Sequence, residues 1–153
     1  MTMRVFPTLD DLVPLEGQEV AVSDWLEVTQ SQIDLFAEAT GDHQWIHVDP
    51  VRARDGPYGA TIAHGFLTLS WLPRMFATAI RIEQMRMGVN YGLNKVRFPA
   101  PVPVGSRLRC RIKLLACAPV EGDGLQMTWD MTVEREGGAK PVCVAEFVQR
   151  RYR

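Results

Sequence analysis

The sequence predicts an α+β fold in which one long apolar helix lies enclosed by an antiparallel sheet. Three observations predict it. Helical periodicity is confined to the first half of the chain. Alternating strand patterns fill the second half. The run 63–82 is apolar nearly all the way round. Segregation of this kind argues against an alternating parallel sheet. The 153 residues are 46% apolar and 23% charged, which suits a single domain spanning 1–153 and excludes a disordered segment.

The elements follow in order. Residues 18–28 read as a short strand leading into a turn. Thr29 then opens a helix: Thr29 with Gln32 makes a capping-box pair, Ile33, Phe36, Ala37 and Thr40 share one face, and Gly41 is the expected stop. The stretch 41–48, GDHQWIHV, reads as a loop. Asp49-Pro50 predicts an N-cap followed by proline at the first position of a short helix that ends before Gly56-Pro57. In 63–82, Phe66, Leu67, Leu69, Trp71, Leu72, Met75, Phe76, Ala79 and Ile80 leave no polar face, and Pro73 predicts a kink.

The second half alternates. Segment 93–106 fits a strand that ends in a proline-rich bend. Leu108, Cys110, Ile112 and Leu114 alternate with Arg107, Arg109, Arg111 and Lys113. Leu125, Met127, Trp129, Met131 and Val133 alternate with polar residues. Both runs predict half-buried antiparallel strands. The run 142–148, apolar on both faces, predicts a central strand, and Gly122, Gly124, Gly137 and Gly138 mark the hairpin turns.

Charge narrows the classes of function. Seventeen basic residues against eighteen acidic ones exclude a chain that coats nucleic acid by bulk charge. No apolar stretch reaches the roughly 18 residues of a membrane span. The first residues lack the apolar core of a leader. Cys110, Cys117 and Cys143 form no CxxC pair, so neither a disulfide framework nor a structural zinc site is expected, and a reducing cytoplasm fits. The basic row 107–113 is expected to be a solvated strand face, with an electropositive rim for a phosphate-bearing ligand as a subordinate reading.

All three histidines, His43, His47 and His64, fall within 22 residues, together with Asp42, Asp49 and Asp55. Nowhere else does the chain combine groups titrating near neutrality with nearby acids. Asp42 and His47, five residues apart, can converge on one water, each accepting from it and each able to return a proton. The plainer alternative is a turn-capping aspartate beside a satisfied loop histidine. Gly65 stands at the start of the apolar helix, where backbone N–H groups are unpaired and carry the positive end of the dipole. With no side chain there, a substrate oxygen can approach closely, so Gly65 is a candidate oxyanion donor. A glycine needed only for packing is the alternative. A zinc site from the three histidines with Asp42 is disfavoured, because the spacing matches no zinc motif; no metal and no cofactor are expected.

With those residues in hand, FAEATGDHQWIHVDPVRAR followed by GATIAHGFLTLSWLPRM resembles the MaoC-like hydratases of the hot-dog fold, and most resembles their nodulation protein N-like branch. Gly41-Asp42, His47, Asp49 and His64-Gly65 match that group's pattern. Gln44-Trp45 replaces its Asn-Pro, and Pro73 stands where some members carry serine. The resemblance runs from about residue 18 to the end. It implies a long helix packed in a curved antiparallel sheet, a homodimer, and reversible (R)-specific hydration of a trans-2-enoyl-CoA. The family's catalytic pair carries over to Asp42 and His47, and its oxyanion glycine to Gly65, with His64 and Asp49 expected around the substrate. An acyl-CoA thioesterase and a non-catalytic acyl-thioester-binding subunit are the alternatives on the same fold.

Overall fold

The computed structural model describes residues 2–153. Strand β1 (Arg4–Thr8) leads through a 3-10 turn (Asp10–Leu15) into β2 (Glu19–Val22) and β3 (Leu26–Glu27). Helix α1 (Gln30–Thr40) follows, then the single turn α2 (Trp45–Val48) and α3 (Pro50–Arg54). Next come α4 (Gly65–Ser70), α5 (Leu72–Ala79) and β4 (Ile80–Gln84). The chain ends in four long strands, β5 (Met87–Arg97), β6 (Arg107–Val120), β7 (Gly124–Arg135) and β8 (Cys143–Tyr152).

The main sheet runs β2-β6-β7-β8-β5, antiparallel throughout, with β3 also paired to β6. Alternation sends Leu108, Cys110, Ile112 and Leu114 of β6 and Met127, Trp129, Met131 and Val133 of β7 to one face, and all are fully buried. Helices α4 and α5 lie across that face. Phe76 of α5 meets Trp129 edge-on, with ring centroids 5.1 Å apart. Such a pair adds about 1 kcal/mol beyond the area it buries. The expected central strand is β8, flanked by β7 and β5.

Local signals fix the site-bearing half. The Thr29 side chain accepts from the Gln32 N–H while the Gln32 side chain accepts from the Thr29 N–H, and Gly41 ends the helix at φ 79°. The Asp49 carboxylate accepts from the Arg52 N–H and starts α3, with Pro50 behind it.

The long kinked helix expected over 63–82 is corrected in two ways. It is two helices that meet at Trp71. Pro73 lacks an N–H and its ring crowds the carbonyl four residues back, so the chain restarts with Pro73 in the first turn of α5 instead of bending through. The helix also stops at Ala79. Ile80 and Ile82 are buried while Arg81 and Glu83 are exposed, a period of two, and this segment is β4, paired in parallel with β1. Nor is the apolar surface wholly enclosed: Phe66 is 69% exposed, and Leu69 is only half-buried. Residues 41–48, expected as a loop, contain the turn α2.

Of the basic row on β6, Arg107 pairs with Glu136 at 3.0 Å, Arg109 with Glu134, and Arg111 with Glu19 at 3.7 Å. These are solvated pairs, each worth little to stability. Cys110, Cys117 and Cys143 are free thiols, and burial pushes Cys117 and Cys143 up to about 11. Among the described residues, no helix is long and apolar enough to cross a membrane.

Candidate active site

The segment between α1 and α4 builds a cavity of about 410 Å³ walled by Phe36, Thr40, Asp42, His47, His64, Gly65, Phe66 and Phe98. Gly41 turns the chain out of α1 and presents Asp42, whose carboxylate accepts from the Gln44 N–H at 3.3 Å. Helix α2 carries His47 inward. Two main-chain ties hold α2 there: Gln30 donates to the His47 carbonyl at 2.8 Å, and the Ile62 N–H donates to the Ile46 carbonyl at 3.0 Å. Thr61 in turn donates to the Gln30 side chain.

The two buried imidazoles have defined tautomers. His47 Nδ1 lies 2.6 Å from the Ile62 carbonyl oxygen, which can only accept, so the proton sits on Nδ1 and Nε2 keeps its lone pair. His64 Nε2 lies 2.9 Å from the Asp42 carbonyl oxygen, so the proton sits on Nε2 and Nδ1 is bare. That buried Nδ1 has no hydrogen-bond partner among the described residues. The rings stack at 3.8 Å between centroids and 22° between planes. Burial lowers the His47 pKa and nearby His64 lowers it further, while the Ile62 hydrogen bond and Asp42 pull it up. The net direction is down, which keeps His47 neutral and basic at neutral pH.

One polar atom each from Asp42, His47 and His64 lie within 4.8 Å of one another. This is the span that one bridging water requires between a carboxylate and an imidazole. The same three groups suit a divalent ion poorly. Zinc binds in the plane of each imidazole at about 2.0–2.1 Å, and near-parallel stacked rings do not share such a point.

The remaining sequence candidates divide. Gly65 lines the cavity as the first residue of α4, where its N–H takes up no carbonyl within the helix. A Cβ on Gly65 would lie 2.9 Å from the Phe98 ring, so close packing also requires glycine there. Asp49 is not brought into the cavity; its carboxylate is occupied in capping α3. His43 is exposed, 3.7 Å from Glu38, and does not join the group. Sequence reading missed Gln30, the Ile62 carbonyl, Phe36 and Phe98. The Ile62 contact is main chain and has no sequence signature. Gln30 stood beside the recognised capping pair, and its long-range bond could not be seen in the pattern.

Known proteins resemble the whole chain. The family described as MaoC like domain matches residues 11–135. The 3-hydroxyacyl-thioester dehydratase Z of Mycobacterium tuberculosis is 53% identical over 97% of this chain and 98% of its own. Nodulation protein N of Rhizobium leguminosarum bv. viciae is 47% identical over 92% of this chain and 89% of its own. The crystal structure of the MaoC-like dehydratase from Rhodospirillum rubrum superposes with a TM-score of 0.75 at 23% identity, covering 95% of this chain and 97% of that one. The wrapped helices are therefore a hot-dog fold, and the chain belongs to the MaoC-like dehydratase family.

Proposed function

We propose that the protein adds water to the double bond of a trans-2-enoyl-CoA, giving the (3R)-hydroxyacyl-CoA, and runs the reverse dehydration. The observation that carries this reading is the convergence of Asp42, His47 and His64 within 4.8 Å, in a cavity that also holds the start of α4. A water held between the Asp42 carboxylate and His47 Nε2 adds its oxygen to C3. One of the pair takes the water's proton, and a proton returns to C2. Negative charge passes through the thioester oxygen, which the Gly65 N–H can meet. Such a donor stabilises a developing oxyanion by roughly 3 kcal/mol. The 53% identity to a protein named a 3-hydroxyacyl-thioester dehydratase supports the reaction class.

The test is crotonyl-CoA. Loss of enoyl absorbance without release of free thiol is the expected result. Release of free CoA would assign a thioesterase, and neither signal would assign a binding subunit.

The reading includes a homodimer. Among the described residues strand β5 pairs only with β8, which leaves its other edge open. Val89, Tyr91 and Leu93 stand exposed along it. An unpaired edge with apolar side chains is a template for association. Sedimentation at micromolar concentration should give a dimer; a monomer would refute this part.

A further inference from the structure

Strand β8 changes character along its inward face. Cys143, Ala145 and Phe147 are apolar, and then Gln149 and Arg151 continue on the same side. Alternation points both toward α5 and not toward water. Gln149 is only 4% exposed. Its Oε1 accepts from Arg151 Nε at 3.2 Å and from Nη2 at 3.1 Å. A guanidinium can only donate, so the amide oxygen must face it, and Nε2 with both its hydrogens faces elsewhere. That nitrogen has no hydrogen-bond partner among the described residues. Among the described residues Arg151 Nη1 meets only the Met85 sulfur, at 3.2 Å, and the Phe76 ring centroid lies 4.6 Å from the guanidinium.

These groups border a hollow of about 400 Å³ whose wall, among the described residues, holds no Asp or Glu. Arg81 and Asn90 also border it. Burial pulls Arg151 down to about 10, so the group is still charged at neutral pH. A cation desolvated without a carboxylate beside it is unfavourable until an anion completes it. The hollow shares Pro73 and Asn90 with an apolar groove of about 300 Å³ walled by Leu69, Leu72, Leu93 and Phe147. The groove begins at Leu69, one turn of α4 beyond Gly65 and Phe66, which line the cavity that holds Asp42 and His47.

We propose that Gln149 and Arg151 form a carboxylate-binding site at the far end of the acyl groove, selecting enoyl thioesters whose chain ends in an acid. The assignment of the groove to an acyl chain rests on the hydratase reading. The donors there are matched to an acceptor-only group, and a methyl end leaves them unpaired. Gly65 and Phe76 are eleven residues apart, about 16 Å were the helix unbroken at ~1.5 Å per residue, and the change of axis at Trp71 shortens that, so chains of about twelve carbons are the ones to test.

The test uses saturated thioesters that cannot react. Calorimetry compares dodecanoyl-CoA with its ω-carboxy counterpart on the wild type, Arg151→Met and Arg151→Lys. The wild type should bind the acid-ended chain at least about tenfold more tightly, the scale of a charged hydrogen bond. Arg151→Met should erase that ratio, and Arg151→Lys should keep part of it. Equal affinities in the wild type overturn the proposal, even if the variants do not fold. An unchanged ratio in Arg151→Met also overturns it. So does equal wild-type affinity accompanied by dissociation of Arg151→Met into monomers, which would assign the guanidinium to a partner's carboxylate. Crotonyl-CoA hydration by the wild type is measured alongside. Its absence would remove the hydratase reading, while the affinity ratio would still judge the carboxylate site.

Discussion

Two polar clusters flank the helix pair, one at the start of α4 and one beside α5, and the two are held differently. At the start of α4 the imidazoles bond to main chain: His47 to the Ile62 carbonyl, His64 to the Asp42 carbonyl. Beside α5, Arg151 is held by a side chain, Gln149. Main-chain anchoring ties ring orientation and tautomer to the fold itself. Side-chain anchoring lets one substitution change the recognised group without moving the backbone. Substitutions at the first cluster should therefore act on turnover, and substitutions at the second on which chain is chosen.

The largest expected effect is at the dyad. Asp42→Asn and His47→Gln should each lower kcat with crotonyl-CoA by about 10²-fold or more, the scale of lost acid–base catalysis. Circular dichroism should be unchanged. Near-wild-type kcat in either folded variant would break the contrast at its stronger end.

A smaller effect is expected at His64, which holds the Asp42 carbonyl and stacks on His47 and would on the hydratase reading position the dyad. His64→Ala should lower kcat by about tenfold, the worth of a buried hydrogen bond, with little change in KM. His64→Gln restores an N–H toward that carbonyl and should recover part of the loss. The pH profile separates positioning from general damage. His47 has its pKa lowered, so it takes up its proton only below the ordinary value of 6.5. Wild-type turnover should hold its plateau down through pH 6.5 and fall below it. In His64→Ala, loss of the neighbouring imidazole removes one of the depressing influences, and the acid limb should move up. A His64→Gln variant as slow as His64→Ala, with an unmoved acid limb, would refute the role.

The second half of the chain was legible because each strand has one buried face. Leu108 to Leu114 and Leu125 to Val133 announce their side by period alone, and the structure follows them. The caps at Thr29, Gly41 and Asp49 were equally readable, since each satisfies a local backbone need. The 3.6 and 2 periods are confused at Ile80–Gln84, where two buried isoleucines follow directly on a helix. The pair Asp42 and His47 could be found from spacing and residue type. Which histidine nitrogen carries the proton could not, because carbonyls of Ile62 and Asp42 decide it, and those contacts span 15 and 22 residues. The Gln149 and Arg151 cluster was hidden for a related reason. Arg151 stands next to Arg150 and Arg153 and reads as part of a charged tail until strand alternation turns it inward.

On β5, Gly92 borders the apolar groove, and a Cβ built there meets nothing within 4 Å. Its backbone is not left-handed, so any residue could occupy the position without strain. Gly92 is thus a vacant ruler mark. If the groove holds the acyl chain, successive replacements by alanine, valine and leucine would shorten the accepted length stepwise. They would leave the catalytic end and the folding core untouched, so related chains could diverge in diet through a single codon.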